Sequence, residues 1–310
     1  MPITPYAFLH HEALQIRLDR LNYLDDWLKA SHEQGDIDQV VIKLRCKGYT
    51  VLETVWNDEK KKDRLSTETI FPVASVTQAV IATLFCIMQE DGLIDIGELF
   101  KFGMPNLSIQ KGSKEYCKNI CRLLKIVLLQ ITGMTLDDLA HRYFFEPLGM
   151  KNSILISTPE RWLDVSRNHA NIGSYSHIVS QQDILSASDM GVLLSTANDL
   201  SRFADMIHQG GTLDGRRILS PATMKRLCSV YDQETNDQFY NLALCFSNLW
   251  FQAASKVFAY SGYVINHGHI WLMIDCDHEL TLAVYITPLL SQNNSEVYKR
   301  IQNIIYSACY

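Results

Sequence analysis

The sequence predicts an α+β protein in which an antiparallel sheet, flanked by helices, is assembled from both ends of the chain around a helical insert. Three observations lead there. β-rich runs occur early, at 39–56, and return late, at 257–287. The middle of the chain changes to helical periodicity. No internal repeat or low-complexity stretch divides it. With 310 residues, 47% hydrophobic and 20% charged, there is apolar material for one large core or two interleaved ones. The expected division is a sheet unit of residues 1–74 and 211–310 and a helical subdomain of residues 75–210, interleaved as one unit.

Each element has a local reason. Leu14, Leu18, Leu21, Leu24 and Leu28 recur at three- and four-residue steps, so an amphipathic helix is expected from about His10 to Gln34, stopped by Gly35. Gln39–Arg45 and Tyr49–Trp56, joined at Lys47-Gly48, read as a hairpin, and the polar run Asn57–Arg64 as a solvated loop. From Ser75, the residues Val76, Val80, Leu84, Ile87 and Met88 form a helical stripe ending at Asp91-Gly92. A second helix is expected over Lys118–Thr132, and Thr135 with Asp138 forms a capping box that opens a helix to Phe145. Ser195-Thr196 starts another helix, ended by Gly210-Gly211, and Ser220-Pro221 supplies an N-cap followed by Pro at the first helical position. The last third returns to strands at Phe239–Phe251, Val257–Val264, His269–Ile274 and Leu280–Thr287, with a turn at Cys276–Glu279 and a final helix over Ser295–Ser307.

Charge and composition exclude some function classes. The 28 basic and 34 acidic residues give a net charge of −6 with no long basic block, against a nucleic-acid partner held by phosphate neutralisation. No apolar run approaches about eighteen residues, so no membrane partner is expected. The opening Met-Pro-Ile-Thr-Pro-Tyr lacks a basic region followed by an apolar core, so a cytoplasmic location with reduced thiols is expected. The eight cysteines form no C-x-x-C pair; Cys117 and Cys121 share a helical face but have no further ligands at matching spacing. Buried structural thiols, no metal and no cofactor are the expectation, with a small molecule as partner. The sequence leaves the oligomeric state open.

Several segments resemble one family when read together. Phe71-Pro72-Val73-Ala74-Ser75-Val76-Thr77-Gln78 is followed by Glu90-Asp91-Gly92-Leu93-Ile94-Asp95. Then come Ile131-Thr132-Gly133 through Phe145-Glu146-Pro147-Leu148-Gly149-Met150, and Leu194-Ser195-Thr196-Ala197-Asn198-Asp199-Leu200-Ser201-Arg202-Phe203. Gly211-Thr212-Leu213-Asp214-Gly215 and Ile218-Leu219-Ser220-Pro221 extend the series. In this order, over roughly residues 37 to 290, they resemble the serine β-lactamase-like family, the branch that includes class C β-lactamases, related esterases and D-alanyl-D-alanine peptidases. The resemblance implies a β-lactamase/transpeptidase-like fold, an antiparallel sheet flanked by helices plus a helical subdomain, with the reactive site between them.

It also implies site residues. In the family a nucleophilic Ser opens a helix and a Lys three positions on lies one turn away, so Ser75 is the candidate nucleophile. Here position 78 is Gln, which takes up no proton at neutral pH, and Ser75 reads equally as a helix N-cap. The family's Tyr-Ser/Ala-Asn motif falls on Tyr116-Cys117-Lys118, sixteen positions before Thr132, which makes Tyr116 the candidate base or proton relay and puts Lys118 where the family has Asn. Lys118 and Gln78 then read as exchanged residue types, Lys118 supplying the cation and Gln78 its neutral partner. The family's third motif, Lys- or His-x-Gly on a strand edging the cleft, has two candidates, Tyr260-Ser261-Gly262 and His267-Gly268-His269. Gln78, Tyr260, Ser261 and His267 are therefore the expected substrate-binding residues. Only 41 positions separate Ser75 from Tyr116, fewer than the family usually has there, which implies a shortened helical subdomain and a reshaped cleft.

Three functions stay open on this reading: acyl transfer from an ester, thioester or amide through Ser75; a retasked non-covalent enzyme such as a cyclase, lyase or isomerase; and a binding protein or pseudoenzyme on the same fold.

Overall fold

The computed structural model describes residues 3–57, 64–73, 76–95, 123, 125–158, 161, 163, 191–227, 257–264, 268–287 and 294–309. The expected strand Phe239–Phe251, the start of the helix expected from Lys118, and Cys117, Cys121, Cys228 and Cys245 lie outside these residues.

The hairpin forms as expected. Strands β1 (Val40–Cys46) and β2 (Tyr49–Trp56) are joined by Lys47 and Gly48, both at positive φ (51° and 78°), the backbone of a two-residue hairpin turn whose twist matches its strands. β1 then pairs with a strand some 240 positions away. β8 (Val257–Val264), β9 (Gly268–Asp275) and β10 (Leu280–Ile286) are antiparallel neighbours, and Val40↔Ile286 through Cys46↔Leu280 join β10 to β1. The result is one five-stranded sheet in the order β2-β1-β10-β9-β8, drawn from both ends of the chain.

Side chains alternate across this sheet and divide the core in two. Val40, Ile42, Leu44, Trp271 and Met273 belong to the outer cluster. They meet Leu21, Leu24 and Leu28 of helix α2 (Leu18–Glu33) and Ile301, Ile304 and Ile305 of the C-terminal helix Asn294–Ala308. Val41, Ile270, Leu272, Ile274 and Tyr285 face the inner cluster, built on α3 (Val76–Glu90). β10 is buried on both faces, which is why Leu280–Ile286 reads as a run of apolar residues with a single Thr rather than an alternation.

The N-terminal helix expected over 10–34 is two helices. α1 (Pro5–Leu14) ends at Gln15, in the left-handed region at φ 57°; Ile16 then bridges Cys309, and Arg17 N–H donates to the Ala308 carbonyl at 2.7 Å. The chain leaves the helix to pair with its own C-terminus, burying Ile16 and leaving Leu18 only half-buried, although Leu14 and Leu18 keep helical spacing.

Between the sheet's halves, the Thr135 hydroxyl accepts the Asp138 N–H, the capping half of the expected box, and donates to the Asp138 carboxylate, opening α4 (Leu136–Ala140). The helical path continues as a π turn over His141–Phe145 and a last turn over Glu146–Leu148. Thr196 caps α5 (Ala197–His208), and Ser220 caps α6 (Pro221–Leu227). The N–H of Ser220 also donates to the Glu90 carboxylate, tying the end of α3 to the start of α6. The C-terminal helix is α7.

A second small sheet was not legible beforehand. β3 (Phe71–Pro72) and β4 (Ile154–Ile156) flank β5 (Val192–Ser195). At two to four residues these strands are too short for a period-2 signal. No described helix is long and apolar enough to cross a membrane.

Candidate active site

The candidate site is built on Phe71–Val73 and on α3, which follow one another in the chain. Phe71 and Pro72 pair with Ser195 and Leu194, and Val73 N–H continues the ladder to the Leu193 carbonyl at 2.9 Å. The Val73 carbonyl then turns to accept from Val76 N–H at 3.0 Å, which starts the helix. That turn removes the acceptor a continuing ladder would offer the Leu193 N–H. The Thr77 hydroxyl takes its place at 3.2 Å. Val76, Thr77 and every residue from Ala79 to Met88 are buried, so α3 is enclosed on all sides and forms a fixed platform. Gln78, in its first turn, is half-buried. The N-terminal end of such a helix carries partial positive charge from its unpaired N–H groups and favours developing negative charge there.

Two strands of the main sheet approach this platform. Phe71 stacks on Tyr285 of β10, ring centroids 3.7 Å apart and planes 12° from parallel. Gly268, at the head of β9, has φ 131°, and a Cβ there would fall 2.4 Å from the Ile286 carbonyl oxygen and 3.1 Å from the Tyr285 ring, so only glycine fits. β8 is the edge strand and packs against α3. It carries Tyr260, Ser261 and Gly262, whose backbones register with Leu272, Trp271 and Ile270. His269 belongs to the opposite side of the sheet, its ring 5.8 Å from that of Tyr298 on α7, and burial lowers its pKa.

Of the site residues expected from the sequence, Gln78 lies in the first turn of α3, and Tyr260, Ser261 and Gly262 lie on β8, the strand that packs against that helix. Ser75, Tyr116, Lys118 and His267 lie outside the described residues; Ser75 directly precedes Val76, the first residue of α3. Thr77, Phe71 and Tyr285 had not been singled out. A hydroxyl amid the apolar face of α3 was the one available signal for Thr77; its partner stands 116 positions away.

A polar seam lies beside this platform. Arg45 of β1 pairs with Asp205 of α5 at 2.6 Å, and Thr281 of β10 donates to the same carboxylate at 3.0 Å. Lys43 bonds Glu53 at 3.0 Å and Asn198 of α5. Farther along α5, Asp199 accepts from Ser153 Oγ and Asn152 N–H, both at 2.8 Å. Of the described cysteines, Cys86 is buried within α3, and Cys46 and Cys309 belong to the outer cluster. Burial pushes the Cys46 thiol up to about 11 and Cys309 up to about 12, so both stay protonated at neutral pH.

A sequence profile of the Beta-lactamase family matches residues 106–302, well over half of the chain. The chain belongs to the beta-lactamase family. The matched span includes Tyr116, Lys118 and both third-motif candidates and begins after α3. Penicillin-binding protein 4 of Amycolatopsis lactamdurans is 31% identical over 112 residues, which is 35% of this chain and only 29% of that protein. Among solved structures, a family VIII carboxylesterase superposes with a TM-score of 0.65 at 13% identity, covering 93% of this chain and 97% of that one. A beta-lactamase/D-alanine carboxypeptidase from Pseudomonas syringae gives 0.62 at 12% identity, with 94% and 99% covered. At such identities the structural likeness speaks for the fold, and the beta-lactamase fold is what the sheet and helices above display.

Proposed function

We propose that this member of the beta-lactamase family is an acyl-transfer enzyme acting on a small ester, thioester or amide in cytosolic metabolism or biosynthesis. The substrate would lie in a cleft between the sheet unit (1–74 and 211–310) and the helical part (75–210). Ser75 is the nucleophile. Its hydroxyl oxygen attacks the acyl carbon, the leaving group departs with a proton, and water later releases the acyl group. Tyr116 serves as base or relay, Lys118 supplies the cation that the family keeps at position 78, and Gln78 is its neutral partner. Tyr260, Ser261 and His267 are the substrate-facing candidates.

The observation that carries this reading is the anchored lead-in to α3, with Val73 and Thr77 bonded to the same residue of β5 on either side of Ser75 in the chain. The carboxylesterase and carboxypeptidase among the structural neighbours support the reaction class.

Exposure to a fluorophosphonate probe, followed by intact-mass and peptide mapping, tests it: one adduct on Ser75, lost in Ser75→Ala, is expected. A protein that stays unmodified yet binds small acyl compounds would favour the non-covalent or binding alternative, to which the Gln at position 78 already lends weight. Nitrocefin turnover should be negligible, because losing general-base assistance at position 78 costs on the order of 10²–10⁴ in rate. Lys118→Ala should abolish whatever turnover the ester panel reveals, and Gln78→Lys combined with Lys118→Asn should restore part of it.

A further inference from the structure

We infer that Thr77 is a positioning residue for the nucleophile, holding the first turn of α3 at a fixed height against β5; this rests on the acyl-transfer reading of Ser75. Two buried threonines on the same helix make the argument. Thr83 uses its hydroxyl as helical threonines commonly do, donating to the carbonyl four residues back, Ala79, at 2.8 Å. That bond is internal to the helix and fixes nothing outside it. Thr77, 3% exposed, instead accepts the backbone N–H of Leu193 at 3.2 Å, from a different element.

The bond stands where the β3 edge of the small sheet runs out of backbone. Leu193 offers both its groups towards the lead-in: the carbonyl meets Val73 N–H, and the N–H meets the Thr77 hydroxyl where the Val73 carbonyl has turned towards Val76. A buried N–H left unmet is costly, so the Thr77 hydroxyl is held there by more than its own bond. Val73 and Thr77 are thereby tethered to a single residue, and only Ala74, Ser75 and Val76 lie between them in the chain. β5 is itself paired on its far side with β4, Ile154 facing Leu194 and Ile156 facing Val192. Ser75 therefore stands in the chain between two residues tethered to one residue of β5, and holding a reacting group's neighbours in place is what a preorganised attack requires.

The test compares Thr77→Val, which keeps shape and volume but removes the acceptor, with Thr77→Ser, which keeps the acceptor, and Thr83→Val, which removes a buried hydroxyl from the same helix. The readout is fluorophosphonate labelling of the full chain, resolved into the limiting rate kinact and the half-saturating concentration KI. Thr77→Val should lower kinact by about ten- to a hundredfold with KI within about twofold, as misplacement of a reacting group does. Thr77→Ser should recover most of the rate, and Thr83→Val should label like the wild type. Thr77→Cys, a weaker acceptor of similar size, should fall between Ser and Val, and it carries the test if the Val variant fails to fold. Wild-type labelling rates in Thr77→Val, or in Thr77→Cys should Val not fold, overturn the inference alone, as does equal slowing by Thr83→Val. A wild-type protein that never labels at Ser75 overturns the acyl-transfer reading, and this inference with it.

Discussion

The two faces of the five-stranded sheet are held by different physics. On the outer face, α2 and α7 meet β1 and β9 through leucine, isoleucine, methionine and tryptophan. Asp25 takes the Thr54 hydroxyl and the Trp56 indole N–H on edge strand β2, and Tyr306 donates to Asp275 at the end of β9. The inner face carries Lys43–Asn198 at mid-strand and Arg45–Asp205 near the end of β1, both reaching α5. Apolar contacts resist sliding weakly, because one methyl substitutes for another, whereas an ion pair joined by a Thr281 hydrogen bond fixes one register. The face that supports the candidate site is the one pinned by directional bonds.

That contrast predicts unequal responses to substitution. Asp205 is 1% exposed, so Asp205→Ala leaves the Arg45 guanidinium facing a void. The expected loss is about 3 kcal/mol, the low end for a broken buried pair, because Arg45 keeps its bonds to Thr50 and to the Gly48 carbonyl. Arg45→Met combined with Asp205→Leu should recover more than half of it, since a buried pair can be exchanged for apolar packing of similar volume. Urea midpoints of the three variants measure this. A double variant no better than the single would show that the pair contributes net stability and not register alone.

The outer face should respond gradually. Ile42, fully buried between α2 and α7, loses one methylene in Ile42→Val, for about 0.5–1.5 kcal/mol. The same urea titrations measure it, and a loss as large as that of Asp205→Ala would erase the distinction between the faces.

The same distinction explains how much was legible in the sequence. Alternation in Val40, Ile42 and Leu44, and helical spacing in Leu21, Leu24 and Leu28, announce the outer face, because each pattern is complete within its own segment. Lys43 and Arg45 look like the solvent side of a half-exposed strand. Their partners Asn198 and Asp205 stand more than 150 positions away, and only the folded chain reveals the seam. The break at Gln15 was hidden for the same reason: its cause is Cys309. At the candidate site helix α3 was legible, while the ties of Val73 and Thr77 to Leu193 were not, since a strand as short as β5 leaves no periodic trace.

The smallest expected effect is a pH dependence on the inner side. Asp199, 4% exposed at the start of α5, has its carboxyl held above the ordinary value. Burial is the main cause and the negative charge of Glu68 adds to it, against the lowering effect of Ser153, Asn152 and Arg202. The sign follows from linkage. A carboxyl whose folded pKa exceeds its unfolded 3.8 binds its proton more tightly in the folded state. Its contribution to stability is complete below 3.8 and is lost as pH rises through the folded value. Asn at this position retains an acceptor but does not titrate. The stability of the wild type relative to Asp199→Asn should therefore decline as pH rises from below 3.8 through the folded pKa and level off above it. Chemical denaturation of both proteins at matched pH and ionic strength measures the difference directly. Asp137, whose carboxyl burial raises in the same way while Ser157 donates to it, provides an independent repeat with Asp137→Asn. A difference that instead grows with pH would mean that the donors around Asp199 outweigh its burial. α5 would then be held to the β4 side by an anion as firmly as it is held to β1 by Arg45, and the inner face would be pinned by charge at both ends.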